Sequence, residues 1–197
     1  EIAHDRGVPL IADTTIIPFP VFRAIDFGVD IEVVASTKYI SGGATSLGGL
    51  IIDYGRFNQY RTPLLQALKG TSQSPFHTRL RKEVHRNLGA YMTPEVAYQQ
   101  SLGLETLQLR FERQAVACKE LAEKLQTLPE VKAVKPEGTY LMWLDFTRLG
   151  MDDRSLRDWM RHQVKLGLND GFMFGPGGEG HQRLNIACPR ATLREAL

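Results

Sequence analysis

The feature that most constrains this chain is a pair of short, uninterrupted apolar runs separated by a helical segment. The first run extends from Val8 to Ala12, and the second, rich in β-branched residues, from Ile31 to Ala35. Runs of this length without polar alternation are typical of strands that are buried on both faces of a parallel sheet. A helix predicted over Pro20 to Phe27 lies between them, and residues 48–53 predict a third strand. The strand–helix–strand order indicates an α/β fold.

Each of the first two runs leads to a reactive side chain. Asp13 follows the first run directly, and Lys38 follows the second run after Ser36 and Thr37. Alone, a lysine after a strand is more often a solvated side chain, and an aspartate there is more often a turn residue. Both, however, are expected at the carboxyl ends of strands, where open α/β sheets bind ligands. The pair suits pyridoxal phosphate, since a lysine holds the aldehyde as a Schiff base and an aspartate keeps the pyridine nitrogen protonated.

The second half of the chain has a different pattern. A helix is predicted to begin at Thr93, because threonine is a good N-cap and the proline after it suits the first turn. Apolar residues at three- and four-residue steps predict one long helix over 104–128. Three further elements are predicted, namely a strand over 139–146, a helix over 153–166 and a strand over 183–187. We therefore predict a cofactor-binding large domain over 1–92 and an α+β small domain over 93–197.

Three stretches of the first two thirds carry a family resemblance. They read Ala-Asp-Thr-Thr at 12–15, Ser-Thr-Lys-Tyr-Ile-Ser-Gly-Gly-Ala-Thr-Ser-Leu-Gly-Gly at 36–49 and Met-Thr-Pro-Glu-Val-Ala-Tyr at 92–98. With them, residues 1 to about 134 resemble the Cys/Met-metabolism family of pyridoxal-phosphate enzymes, in its O-acetylhomoserine sulfhydrylase branch. The resemblance implies part of the large domain of a fold-type I enzyme.

The same resemblance assigns roles to individual residues. It implies that Asp13 holds the pyridine nitrogen, that Lys38 attaches the cofactor and moves a proton, and that Thr37 binds the phosphate. The family usually has a serine three residues before the lysine, and here Ala35 stands at that position. One phosphate-binding hydroxyl is therefore missing, and Ser36 is expected to substitute for it in part.

The likeness changes after about residue 135. The stretches Pro-Glu-Gly-Thr-Tyr-Leu-Met-Trp-Leu-Asp-Phe at 136–146 and Phe-Gly-Pro-Gly-Gly-Glu-Gly-His-Gln-Arg-Leu-Asn-Ile-Ala at 174–187 resemble class I/II aminotransferases of the cystathionine β-lyase-like branch. This resemblance implies that Arg183 binds the substrate α-carboxylate, which a planar guanidinium matches well. From the residues alone, a surface charge on an edge strand is equally favoured.

Taken together, the chain reads as two related pieces of fold-type I enzymes joined near 132–137. The first half of the large domain is expected to be absent. A natural fusion, an engineered chimera and an assembly artefact would all give such a sequence. The proteins it resembles indicate a pyridoxal-phosphate enzyme of sulfur amino-acid metabolism. The first piece favours γ-replacement on O-acetylhomoserine and the second favours C–S β-elimination. The alternatives are an aminotransferase and a non-catalytic, subunit-like fragment.

Composition limits the partners. A net charge of +2, with no basic run that carries interleaved aromatics, disfavours nucleic acid. No apolar stretch has the length of a membrane span, and the five histidines lack metal-ligand spacing, so no metal is expected. Cys118 and Cys188 read as reduced thiols of a cytoplasmic protein. We expect a small-molecule amino-acid substrate and a homo-oligomer.

Overall fold

The computed structural model describes residues 1–57, 63–68 and 74–196. The chain divides into two compact units, Glu1–Gln108 and Leu109–Leu197. The domain boundary predicted at residue 92 stays a prediction, because compactness does not reveal what either part binds. Across the described ranges, no helix combines the length and hydrophobicity that crossing a bilayer requires.

The first unit contains a three-stranded sheet in the order β1-β2-β3. Strands β1 (Ile11–Asp13) and β2 (Ile31–Val34) are parallel, as the sequence predicts, with Ile11 paired to Ile31. Strand β3 (Leu50–Asp53) is antiparallel to β2, so the expectation of a wholly parallel sheet is wrong at this strand. The reason is the connection between β2 and β3, which contains no crossover helix and therefore returns the chain in the opposite direction.

The helix predicted over Pro20 to Phe27 is reduced to one turn of 3₁₀ helix, Ala24–Phe27. The N–H groups of Val21 and Phe22 both bond to the carbonyl of Pro18, which closes an isolated turn. The helical turn ends at Gly28, whose φ of 76° lies in the left-handed region.

Helices make up much of the rest of the first unit. They are α1 (Ile2–Asp5), α2 (Pro63–Gln66), α3 (Pro75–Arg79), which continues through a π-helical turn (Leu80–His85) into α4 (Arg86–Leu88), and α5 (Pro94–Glu105). The N-cap predicted at Thr93 is confirmed, since its hydroxyl accepts a hydrogen bond from the Val96 N–H at 3.4 Å. Helix α5 approaches the segment after β2 so closely that a Cβ at Gly103 would lie 2.1 Å from the Ile40 carbonyl oxygen.

The long helix predicted over 104–128 is interrupted. Helix α5 ends at Glu105, and α6 (Leu107–Leu125) begins after Thr106, whose φ of −109° and ψ of 3° are not helical. The Thr106 hydroxyl bonds to the Gly103 carbonyl at 3.5 Å, so the side chain caps the end of α5. The buried apolar positions of the predicted helix, including Leu107, Phe111, Cys118 and Leu121, all belong to α6, whereas Leu104 at the end of α5 is 40% exposed.

The second unit is an antiparallel sheet packed against helices. Its strands are β4 (Lys132–Ala133), β5 (Leu141–Asp145), β6 (Asn169–Asp170) and β7 (His181–Asn185), in the order β4-β5-β7-β6. Helix α7 (Asp153–His162) begins at Asp152, whose carboxylate caps the Ser155 N–H, and α8 (Arg190–Ala196) ends the described chain. The core joins side chains of α6, α7, β5 and β7, among them Cys118, Leu121, Met142, Leu144, Leu156, Met160 and Leu184.

Candidate active site

The two residues singled out by the sequence lie at, or just beyond, the carboxyl ends of neighbouring parallel strands. Asp13 is the last residue of β1 and is paired with Val33 of β2. The Thr14 N–H continues the ladder by bonding to the Val33 carbonyl at 3.1 Å. Lys38 follows four residues after the end of β2. Both side chains are exposed, as a ligand site at the carboxyl edge of a sheet requires.

Thr15, two residues after Asp13, organises this edge of the sheet. Its role was not identified from the sequence. Oδ1 of Asp13 accepts two hydrogen bonds from Thr15, one from its N–H at 2.9 Å and one from its hydroxyl at 2.6 Å. The hydroxyl bond, then the backbone bond, holds the pKa of Asp13 below its ordinary value. The Thr15 hydroxyl also accepts a bond from the Ala35 N–H at 2.8 Å, just beyond β2. The Asp-x-Thr spacing, which is typical of side-chain turns, was the available signal.

The loop that carries Lys38 is closed by hydroxyl groups. The Ser41 hydroxyl donates to the Thr37 carbonyl at 2.6 Å, and the Ser41 N–H donates to the Ser36 carbonyl at 2.8 Å. The Thr37 hydroxyl accepts from the Gly48 N–H at 3.0 Å. The Thr37 hydroxyl therefore already has a protein partner, and its predicted role in phosphate binding stays a prediction.

Ser36 is placed differently from what a phosphate ligand would require. Its side chain is fully buried, and its hydroxyl has no hydrogen-bond partner in the described part of the chain. A Cβ at Gly48 would lie 2.8 Å from this hydroxyl and 2.4 Å from Nε2 of Gln100, for which the described residues likewise offer no hydrogen-bond partner. The Ser36 hydroxyl and Nε2 of Gln100 thus lie beside the same glycine, Gly48. The predicted role of Ser36 as a partial substitute for the missing serine stays a prediction.

A buried carboxylate supports the same strands from the other face. Glu32, in the middle of β2, is 1% exposed. It accepts hydrogen bonds from the hydroxyls of Thr14, after β1, and Tyr54, after β3. In parallel and antiparallel pairs alike, paired residues share a face, so Glu32 lies opposite to Asp13 and Val33. This polar link between three strands stabilises the edge at which Asp13 and Lys38 lie.

Arg183 lies in the second unit, on β7, opposite Trp143 of β5. Its Nη2 donates to Oδ1 of Asn169 at 3.0 Å, and its guanidinium lies 4.5 Å from the centroid of the Phe174 ring. Its Nε is buried and has no hydrogen-bond partner among the described residues. A guanidinium that is fixed on one side by an amide and an aromatic ring is of the kind that donates hydrogen bonds to a carboxylate. Asn169 and Phe174 were not identified from the sequence.

The described residues fit pyridoxal phosphate in three respects. Oδ2 of Asp13 accepts no hydrogen bond from the described part of the chain, so it is available to a pyridine N–H. No described carboxylate lies within ion-pair distance of the Lys38 amine. The glycine-rich loop after Lys38 has backbone N–H groups of the kind that bind phosphate. No three His, Cys, Asp or Glu side chains among the described residues could hold a metal ion.

The architecture is that of a fold-type I pyridoxal-phosphate enzyme. The solved O-acetylhomoserine sulfhydrylase of Wolinella succinogenes superposes on all of this chain with a TM-score of 0.74 and 29% identity, and the chain covers 64% of it. Cystalysin of Treponema denticola, at 21% identity and a TM-score of 0.66, shares the fold over 96% of this chain and 47% of its own.

Sequence comparison identifies the family within this fold type. Residues 1–139 match the Cys/Met metabolism PLP-dependent enzymes, and the chain belongs to this family. Sulfhydrylase FUB7 of Fusarium oxysporum f. sp. lycopersici is 38% identical over 154 residues, which are 71% of this chain and 36% of the relative. Cystathionine beta-lyase PatB of Bacillus subtilis is 47% identical over 70 residues, which are 36% of this chain and 18% of the relative. The chain thus spans about a third of the first relative's length.

Proposed function

We propose that this chain carries the cofactor lysine and aspartate of a pyridoxal-phosphate enzyme that catalyses γ-replacement on O-acetylhomoserine. The observation that carries the proposal is the hydrogen-bonded link from Asp13 through Thr15 to Ala35, which joins the turn after β1 to the segment that leads into Lys38. Family membership and the sulfhydrylase relatives support the same reaction class. Residues 1–92 would bind the cofactor and 93–197 the substrate carboxylate.

Each residue has a defined task in this proposal. The Lys38 amine would hold the cofactor aldehyde and, as a free amine, would accept the proton of the substrate α-carbon. Asp13 accepts a hydrogen bond from the pyridine N–H through Oδ2 and keeps that nitrogen protonated. Arg183 pairs with the α-carboxylate. The cofactor, when bound, supplies a cationic ring that accepts electron density from the α-carbon.

The phosphate end of the site is expected to be weak. Ala35 lacks the hydroxyl that a serine would offer, and the Thr37 hydroxyl is engaged by Gly48. A charge-assisted hydrogen bond contributes about 1.5–3 kcal/mol. Losing one such bond would weaken cofactor binding roughly ten- to hundredfold. We therefore expect low affinity and slow turnover from these 197 residues.

Borohydride trapping tests the proposal directly. The chain is incubated with pyridoxal phosphate, reduced and digested, and the labelled peptide is identified by mass spectrometry. We expect the label on Lys38, and its loss in Lys38→Arg. Lys135→Arg is the matched control, because Lys135 is a surface lysine that pairs with Glu123 at 2.9 Å. A label spread over many lysines, or one unchanged in Lys38→Arg, would refute the assignment.

Product analysis separates the reaction types. O-acetylhomoserine with sulfide should yield homocysteine and acetate. Release of pyruvate from cystathionine, without homocysteine synthesis, would instead show β-elimination, in line with the cystathionine beta-lyase relative. A chain that stays colourless with excess cofactor would support a non-catalytic fragment.

We also infer that the chain acts as a cytoplasmic homo-oligomer. Large apolar side chains of the first unit are exposed, including Phe27 at 68% and Leu47 at 80%, and exposed apolar surface of this kind favours association. The two free cysteines, Cys118 and Cys188, suit a reducing compartment. Light scattering coupled to gel filtration measures the oligomeric state, and a monomer at micromolar concentration would contradict this inference.

A further inference from the structure

The hydroxyl of Thr15 lies between the two strand ends and acts both as a hydrogen-bond donor and as an acceptor. It donates to Oδ1 of Asp13 at 2.6 Å and accepts from the Ala35 N–H at 2.8 Å. We propose that Thr15 is a positioning residue, which directs the Asp13 carboxylate and ties it to the backbone that leads into Lys38. This inference rests on the proposed function, because the direction of the carboxylate matters only if Asp13 receives a ring nitrogen.

The bonds from Thr15 decide which carboxylate oxygen remains available. Both the N–H and the hydroxyl of Thr15 bind Oδ1 of Asp13. Two bonds to one oxygen fix the rotation of the carboxylate and leave Oδ2 as the acceptor for an incoming N–H. The same bonds stabilise the ionised form, so the aspartate stays charged in the absence of a cofactor. A group that must keep a pyridine nitrogen protonated needs both properties.

The hydrogen bond that the Thr15 hydroxyl accepts sets the spacing between the Asp13 turn and the Lys38 loop. The Ala35 N–H is the first backbone donor beyond β2, and it bonds to Thr15 rather than to another strand. Lys38 follows three residues later. The tie therefore holds the carboxylate turn and the lysine loop together without a direct ion pair between the carboxylate and the amine. Such a pair would occupy both groups and compete with a ligand.

The second unit supplies a matched control. Thr147 makes the same two bonds to Asp145, from its N–H at 2.9 Å and its hydroxyl at 2.6 Å to Oδ1. In the described part of the chain no N–H donates to the Thr147 hydroxyl, so this turn is not tied to a neighbouring strand as Thr15 is. Thr147→Val therefore reports the general effect of losing such a turn.

The test compares Thr15→Val, Thr15→Ser and Thr147→Val in the 197-residue chain. A carbon-detected NMR titration of the cofactor-free chain measures the pKa of Asp13. In Thr15→Val this pKa should rise toward the ordinary value of an aspartate, and in Thr15→Ser it should stay low, because serine keeps the hydroxyl. A pyridoxal-phosphate titration followed by visible absorbance should show roughly tenfold weaker binding in Thr15→Val, from the loss of one charge-assisted bond. Thr15→Ser and Thr147→Val should remain within about threefold of wild type.

Several results would overturn the proposal. One is an Asp13 pKa that stays low in Thr15→Val; another is equal loss of cofactor affinity in Thr15→Val and Thr147→Val. If Thr15→Val fails to fold, Thr15→Ala removes the hydroxyl without adding a methyl group beside Ala35 and is measured in the same way. If wild type binds no cofactor and Lys38 takes no borohydride label, the proposed function fails. The NMR titration then still decides whether Thr15 holds the carboxylate, and an unmoved pKa rejects that too.

Discussion

Replacing Tyr54 with phenylalanine tests whether the buried carboxylate of Glu32 joins the three strands of the first sheet. One oxygen of Glu32 accepts from the Thr14 hydroxyl and the other from the Tyr54 hydroxyl. Glu32 is 1% exposed, and no cation among the described residues pairs with it. Removing the Tyr54 hydroxyl leaves one carboxylate oxygen of Glu32 buried and without this hydrogen bond. We expect Tyr54→Phe to lower the free energy of unfolding of the first unit by about 1.5–3 kcal/mol.

The pH dependence of stability provides a second measure of the same contact. Burial, followed by the hydrogen bond to Glu32 and its charge, raises the pKa of Tyr54 to about 12. Because this pKa is higher in the folded chain than in the unfolded chain, the contribution is fully present below the ordinary tyrosine pKa and is lost as the pH rises toward 12. Two pKa units correspond to about 2.7 kcal/mol, and solvent screening of a partly exposed phenol reduces this figure.

The assay must report on the first unit. Both tryptophans, Trp143 and Trp159, lie in the second unit, so their fluorescence follows the wrong part of the chain. Hydrogen exchange of the β2 amides, measured between pH 8 and 11 by mass spectrometry with correction for intrinsic exchange rates, gives the opening free energy of the sheet. Tyr91→Phe is the control, because Tyr91 is 73% exposed. Tyr54→Phe and Tyr91→Phe proteins with the same opening free energies and the same pH slope would refute the role given to Glu32.

Three further predictions concern the lysine loop and the thiols. Ala35→Ser restores the hydroxyl that the family usually has and should tighten pyridoxal phosphate about tenfold in an absorbance titration; unchanged affinity would show that the position does not face the phosphate. Gly103→Ala places a Cβ 2.1 Å from the carbonyl oxygen of Ile40. It should lower the free energy of unfolding of the first unit by about 1–3 kcal/mol, measured by urea unfolding followed by circular dichroism. Gly167→Ala, with no atom within 4 Å of its Cβ, is the control and should have a much smaller effect. Burial raises the pKa of Cys118 to about 11. Maleimide at neutral pH should therefore label Cys188 alone in the folded chain. Labelling of both cysteines without denaturant would contradict the packing of α6.

Several properties of the chain follow from its sequence alone. The two apolar runs form parallel strands, and Thr93 caps a helix, because each signal depends on consecutive residues whose side chains act locally. The placement of Asp13 at the end of β1 and of Lys38 beyond the end of β2 follows from the same runs. The family resemblance of residues 1–134 is confirmed by comparison with known proteins. The fold class was therefore predictable without coordinates.

Only the tertiary structure decided how these elements are joined. The direction of β3 depends on the route of its connection, and the break between α5 and α6 occurs at Thr106, whose hydroxyl bonds to the Gly103 carbonyl. The Ala35 N–H that bonds to Thr15, and the two hydroxyls that bond to Glu32, lie 18 to 22 residues away from them in the sequence. Strand register, not local spacing, brings them within hydrogen-bond distance. A hydroxyl in the sequence carries no sign of what it will face, because its partner is chosen only when the strands align and water is excluded from between them.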